Sequence, residues 1–214
     1  MESAIFGLIG VALGGLLPLA REWWFQRRQE AKDAGFLVIL VARQLDLYVS
    51  NCASVVADDG EPNMGNYYQP TTSTPAFKLE LLEVEWKSLP VGLMYEIFDF
   101  RFWAEQAEKK SSNAFEHASP PDFEEGFEER QYQYAILGIR AHELANRLRA
   151  HIGLPPRQYV GNWDPIYFMQ GEKSKIEKLR IGAQQHLAKT TNGEPAGSLV
   201  YGGSDGARPN HAKR

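Results

Sequence analysis

The sequence predicts an all-α chain: an N-terminal transmembrane helix that continues into a cytoplasmic bundle of about four helices. Three observations predict it. Ser3 to Ala20 runs 18 residues without a charge. Apolar residues then recur at spacings of three and four along several later stretches. Those stretches are bounded by proline, glycine and acidic N-cap signals.

The anchor comes first. At ~1.5 Å per residue, residues 3–20 reach ~27 Å as a helix, about the thickness of a bilayer's hydrocarbon core. Nine of the 18 are Leu, Ile, Val or Phe, worth together roughly −3 to −5 kcal/mol of insertion free energy. Gly7, Gly10, Gly14, Gly15 and Pro18 oppose this. A cleaved signal peptide needs a basic leader and small residues before the cut. Only Glu2 precedes the run, and cleavage after Ala20 puts Pro18 at the −3 position. An N-terminal helix buried in a soluble core is the other alternative.

Arg21, Trp23, Trp24, Phe25, Arg27 and Arg28 follow the run directly and form the expected membrane interface, with lipid as the partner. Lys and Arg crowd only this end of the span, so the positive-inside rule puts the N-terminus outside and the rest in the cytoplasm, at the inner membrane. The lone Cys52 makes no intrachain disulfide and suits a reducing compartment. Within the span, Ser3, Gly7, Gly10 and Gly14 share one helix face. Gly10 to Gly14 has the Gly-x-x-x-Gly spacing that lets two helices approach, which makes a homo-oligomer an expectation.

Residues 21–57 read as a juxtamembrane amphipathic helix, with Leu37, Val41, Leu45, Tyr48, Cys52 and Val55 on one stripe and Gly60 as its stop. Residues 58–75 read as a long surface loop, rich in Gly, Pro, Asn and Thr. Residues 76–189 form the helical domain. Phe77 to Leu89 fits a short strand or an irregular segment. Pro90 opens a helix carrying Leu93, Ile97, Ala104, Ala107, Ser111 and Phe115. Asp122 starts a longer one, with Phe123, Phe127, Gln131, Tyr134, Gly138, Ala141, Ala145 and Leu148 on one stripe, closed by Leu154-Pro155-Pro156. Its acidic start and basic end match the helix dipole. Asp164-Pro165 opens the last helix, through Met169, Ile176, Leu179, Ala183 and Leu187. Residues 190–214, with five glycines and two prolines, read as a disordered tail.

Chemistry is sparse. His142-Glu143-Leu144-Ala145-Asn146 begins like a zinc-protease helix, but Asn146 stands where the second histidine is required, so His142 reads as part of a solvated face. Asp58-Asp59-Gly60-Glu61 lacks the alternating ligands of a calcium loop and reads as a helix stop. Cys52 lies on an apolar stripe and reads as a buried structural thiol. The aromatics from Tyr95 to Trp103 read mostly as core; because they cover more than one helix face, part of the segment is left to bind a partner. No catalytic residue, metal ligand or cofactor site is expected. A net charge of −4 gives no field for a polyanion, so nucleic acid is not an expected partner.

Several strings resemble a family of uncharacterised bacterial proteins with an N-terminal membrane anchor and a cytoplasmic helical domain. They are Val84-Glu85-Trp86-Lys87-Ser88-Leu89-Pro90, Leu93-Met94-Tyr95-Glu96-Ile97, the run from Pro120 to Gln131, and Trp163-Asp164-Pro165. The resemblance spans most of residues 1–189 and implies a bacterial inner membrane. It brings no activity and no site residues. The function expected is that of a single-pass, non-enzymatic scaffold or interaction protein with a protein partner still unknown. The alternative is a membrane-acting effector or toxin-like protein of phage or defence origin.

Overall fold

The computed structural model describes residues 2–78, 86–159 and 161–191; for residues 2–20, 30, 31 and 189–191 it describes the backbone alone. The described residues are mostly helical, as expected. Helix α1 spans Glu2–Val56, α2 Val91–His117, α3 Glu124–His151 and α4 Pro165–Thr191. A two-stranded antiparallel sheet joins β1 (Glu61–Pro62) to β2 (Tyr68–Gln69), and a single 3-10 turn covers Trp86–Ser88.

Helix α1 is one uninterrupted rod of 55 residues, ~82 Å long at ~1.5 Å per residue. The expected boundary between an anchor and a juxtamembrane helix is therefore not a break in the backbone. Among the described side chains burial begins at Ala34, and Leu37, Val41, Leu45, Tyr48, Cys52 and Val55 are all in the core. The second half of α1 thus belongs to the bundle itself. By length and composition, among the described residues one helical stretch is apolar enough to cross a membrane, Arg21–Val56; its most apolar 18 residues have a mean hydropathy of 1.3 and 56% of them are buried. Those apolar residues cover the domain's interior.

Three contacts set the direction of α3 against α1. Arg130 meets Asp58, Gly138 faces Cys52, and Arg149 pairs with Asp46. The two helices run antiparallel. Glu96 pairs with Arg147, Glu108 with Tyr134 and Phe115 with Phe127, so α2 runs antiparallel to α3 and hence along α1. Gly138 allows the close approach: a Cβ there would lie 3.0 Å from Cys52 Cβ and against the Met169 thioether.

The ends follow their chemistry. Helix α3 starts two residues after the expected Asp122, because Phe123 adopts a left-handed backbone (φ 54°) as its N-cap. At the other end Gly153, at φ 73°, donates to Ala150 O, and Leu154 N donates to Arg149 O at 2.9 Å. That pair of bonds is a Schellman cap, and the positive φ explains the glycine. In α4, Asp164 Oδ1 accepts from Ile166 N at 2.8 Å and from Tyr167 N at 3.2 Å, the expected N-cap.

The described residues divide after Ile176 into two units. Met169 and Ile176 are buried, whereas Leu179 and Leu187, expected on the same stripe, are 58% and 67% exposed. The tail expected to be disordered lies, from residue 192 onward, outside the described residues.

Candidate functional site

The expected interface residues sit where α1 stands clear of the bundle. Every residue from 21 to 29 is exposed, with Trp23, Trp24 and Phe25 between 53% and 57%. Spacing by four stacks cations on rings. The Arg27 guanidinium lies 4.2 Å from the centre of Trp23, Arg28 lies 4.1 Å from Trp24, and Arg21 lies 5.5 Å from Phe25. Such stacks contribute roughly 0.5–1 kcal/mol each at exposed sites. Ser3, Gly7, Gly10 and Gly14 lie on the part of α1 whose side chains are outside the described residues.

The aromatic stretch of α2 departs from expectation. Only Phe100 is core; Tyr95, Phe98, Phe102 and Trp103 are exposed, and Val91 with them. At 100° per residue, positions 91, 95, 98 and 102 fall within an arc of roughly 60°, opposite the inward Ile97 and Phe100. The spread of aromatics over more than one helix face was legible in the sequence; which of them turn inward was not.

The expected loop 58–75 is more ordered than a plain surface loop. Asp58 lies at its root and is buried. Its carboxylate accepts from Gly60 N (3.0 Å), Thr71 N (3.0 Å), Thr71 Oγ1 (2.7 Å), Thr72 N (2.8 Å) and Arg130 Nη1 (2.9 Å). Arg130 Nη2 also donates to Thr72 O. Burial by itself would raise the Asp58 pKa, but these donors outweigh it and hold the carboxyl well below its usual range. Asp58 is thus a clamp for the hairpin rather than a bare helix stop. The distant Thr71-Thr72 and Arg130 gave no signal in the sequence.

Beside it, a cleft of about 640 Å³ opens between residues 74–78 and α2, with Arg101, Glu105, Glu108 and Tyr134 among its walls. Tyr134 donates to Glu108 at 2.5 Å. Burial, and then that carboxylate, push the Tyr134 phenol above its ordinary value. A smaller groove of about 290 Å³ runs between α2 and α3, where Arg140 stacks 4.6 Å from the centre of Trp103 and Arg147 pairs with Glu96 at 2.7 Å.

His142 is not on a solvated face. It is half-buried, with Nε2 2.9 Å from Asn146 Nδ2, Nδ1 3.4 Å from the Tyr159 hydroxyl, and the two rings 5.8 Å apart. Asn146 Oδ1 further accepts from Arg157 N at 3.0 Å. Burial, the largest influence, lowers the His142 pKa. Asn146, which breaks the metalloprotease pattern, therefore ties α3 to the chain that follows it. Cys52 is fully buried and burial pushes its thiol pKa up, which keeps it protonated. Among the described residues no group of three or more His, Cys, Asp or Glu is placed to hold a metal ion.

No family model, no curated protein and no solved structure matches this chain.

Proposed function

We propose that this protein is a single-pass bacterial inner-membrane protein. In this reading its N-terminus lies outside, and its helical domain works in the cytoplasm as a non-enzymatic scaffold or interaction module. One observation carries the reading: α1 is a single helix that leads from the apolar run, through an exposed belt of Arg, Trp and Phe, into the core of the bundle. A helix exposed on all sides that carries three large aromatic rings is poorly suited to water alone. A headgroup layer would accept both the rings and the cations stacked on them.

The same continuity gives the anchor a mechanical meaning. Ala34, the first buried residue among the described side chains, lies 14 positions beyond Ala20, or ~21 Å along the rod. The domain would stand off the bilayer on a stiff stalk, and the exposed α2 row would face its surroundings there. An interaction role draws its support from that row. A reporter fused after Lys189 tests the orientation: cytoplasmic reporter activity is expected, and alkaline phosphatase activity would contradict it.

A further inference from the structure

We propose that the protein forms a parallel two-fold dimer through Val91, Tyr95, Phe98 and Phe102, with Trp103 at the margin. The orientation of this dimer rests on the membrane reading above. The contact itself does not.

The first argument is area. The five side chains are exposed by 75%, 67%, 47%, 51% and 40% in that order. With aromatic side chains offering roughly 150–250 Å² each, the patch amounts to about 550 Å², near the upper end of the largest patch on a monomer. Two such patches together reach about 1,100 Å², just past the roughly 1,000 Å² that a specific interface needs. The row is also long enough to act as a seam, since positions 91 to 102 span ~16 Å of helix.

Charge accommodates the pairing. Arg101 and Glu105, which pair with each other at 3.3 Å, lie on one flank of the row, and Asp99 and Lys110 on the other. Each flank thus carries both signs and can meet a flank of the second copy with opposite charges together. Membrane geometry selects the hand. Because α2 runs along α1, a parallel α2 pair has its two-fold axis along both rods and sends both anchors toward one bilayer. An antiparallel pair sends them in opposite directions.

Single-cysteine crosslinking of the full chain in its membranes tests this. The wild-type protein, whose one thiol is buried, serves as the blank. In a parallel dimer Tyr95→Cys and Phe102→Cys should each crosslink with a short bismaleimide to their own copy, giving a band at twice the 24.1 kDa chain mass. Adding Val91→Asp should lower the yield at least tenfold while the helical circular dichroism melt is unchanged, since Val91 is 75% exposed. Crosslinking of Tyr95→Cys only to a co-expressed Phe102→Cys chain would mean an antiparallel pair and overturn the proposal. A band at another mass would give the face to a different protein, and absence of any band would leave it unpaired; either result overturns the proposal. Chains that crosslink as expected but leave the membrane in a mild wash would refute the anchor and keep the dimer. Anchored chains that fail to crosslink would do the reverse.

Discussion

Arg130 and Asp58, 72 residues apart in sequence, meet as a buried pair, with Nη1 donating to Oδ2 at 2.9 Å and side chains only 3% and 1% exposed. The pair joins the C-terminal end of α1 to α3 and fastens the β1–β2 hairpin between them. Breaking such a pair from one side costs about 3–5 kcal/mol, because a buried charge is left uncompensated. Asp58→Asn should show that loss in urea unfolding. Arg130→Met should cost less, since Thr71, Thr72 and Gly60 still donate to the carboxylate. The reverse order would contradict the clamp.

The same group sets an acid limit. Asp58 has its pKa depressed in the folded state, so its contribution is complete above the unfolded carboxylate pKa, about 3.9, and fades as pH falls toward the lower folded value. A pH series of urea midpoints should show wild-type stability falling below about pH 4. Asp58→Asn should flatten that fall. A parallel decline in both proteins would remove Asp58 as its source.

Tyr48 is buried between Phe77 and Phe100, with ring centres 6.0 and 5.2 Å away, and its hydroxyl has no hydrogen-bond partner among the described residues. Leaving a buried hydroxyl unpaired costs about 1–3 kcal/mol, so removing it at constant shape should help. Tyr48→Phe is expected to raise the melting temperature by a few degrees. A fall would mean that the hydroxyl is satisfied.

Gly138→Ala sets two effects against each other. Alanine is better in a helix by about 1 kcal/mol. Its Cβ, however, would lie 3.0 Å from Cys52 Cβ, on a neighbouring helix that cannot easily retreat, and overpacking of this kind costs about 1–3 kcal/mol. The net expectation is a lower urea midpoint. A stabilised variant would show that α1 and α3 have room to spare.

His142 has its pKa lowered by burial, so it binds a proton less readily folded than unfolded. Its contribution is complete above the unfolded value, about 6.5, and is lost as pH falls through that value toward the folded one. Histidine NMR should report the depressed titration, and Tyr159→Phe should leave it in place, because burial is the larger cause. An ordinary or raised pKa would contradict this arrangement.

Periodicity revealed the helices because their buried faces are regular. Every stripe residue named on α1 is core, and Pro90, Asp164 and the Leu154-Pro155-Pro156 stretch lie at or next to helix ends. What stayed hidden depends on pairs distant in sequence. Asp58 resembles any acidic helix stop until Arg130 and Thr71-Thr72 reach it. His142 resembles a solvated histidine until Tyr159 folds back across it. The α2 aromatics resemble core because composition does not distinguish an inner face from an outer one. The left-handed Phe123 also delays the start of α3, a choice of backbone that no pattern of side chains announces.

In the proposed topology residues 3–20 anchor the chain in a bilayer and α1 carries this anchor into the bundle. Alkaline carbonate extraction of membranes holding the full chain, beside a chain lacking residues 3–20, measures it most directly. The full chain should stay in the pellet and the shortened one should enter the supernatant with its helical circular dichroism intact. A full chain released by carbonate would contradict the anchor and return residues 3–20 to the role of an ordinary helix.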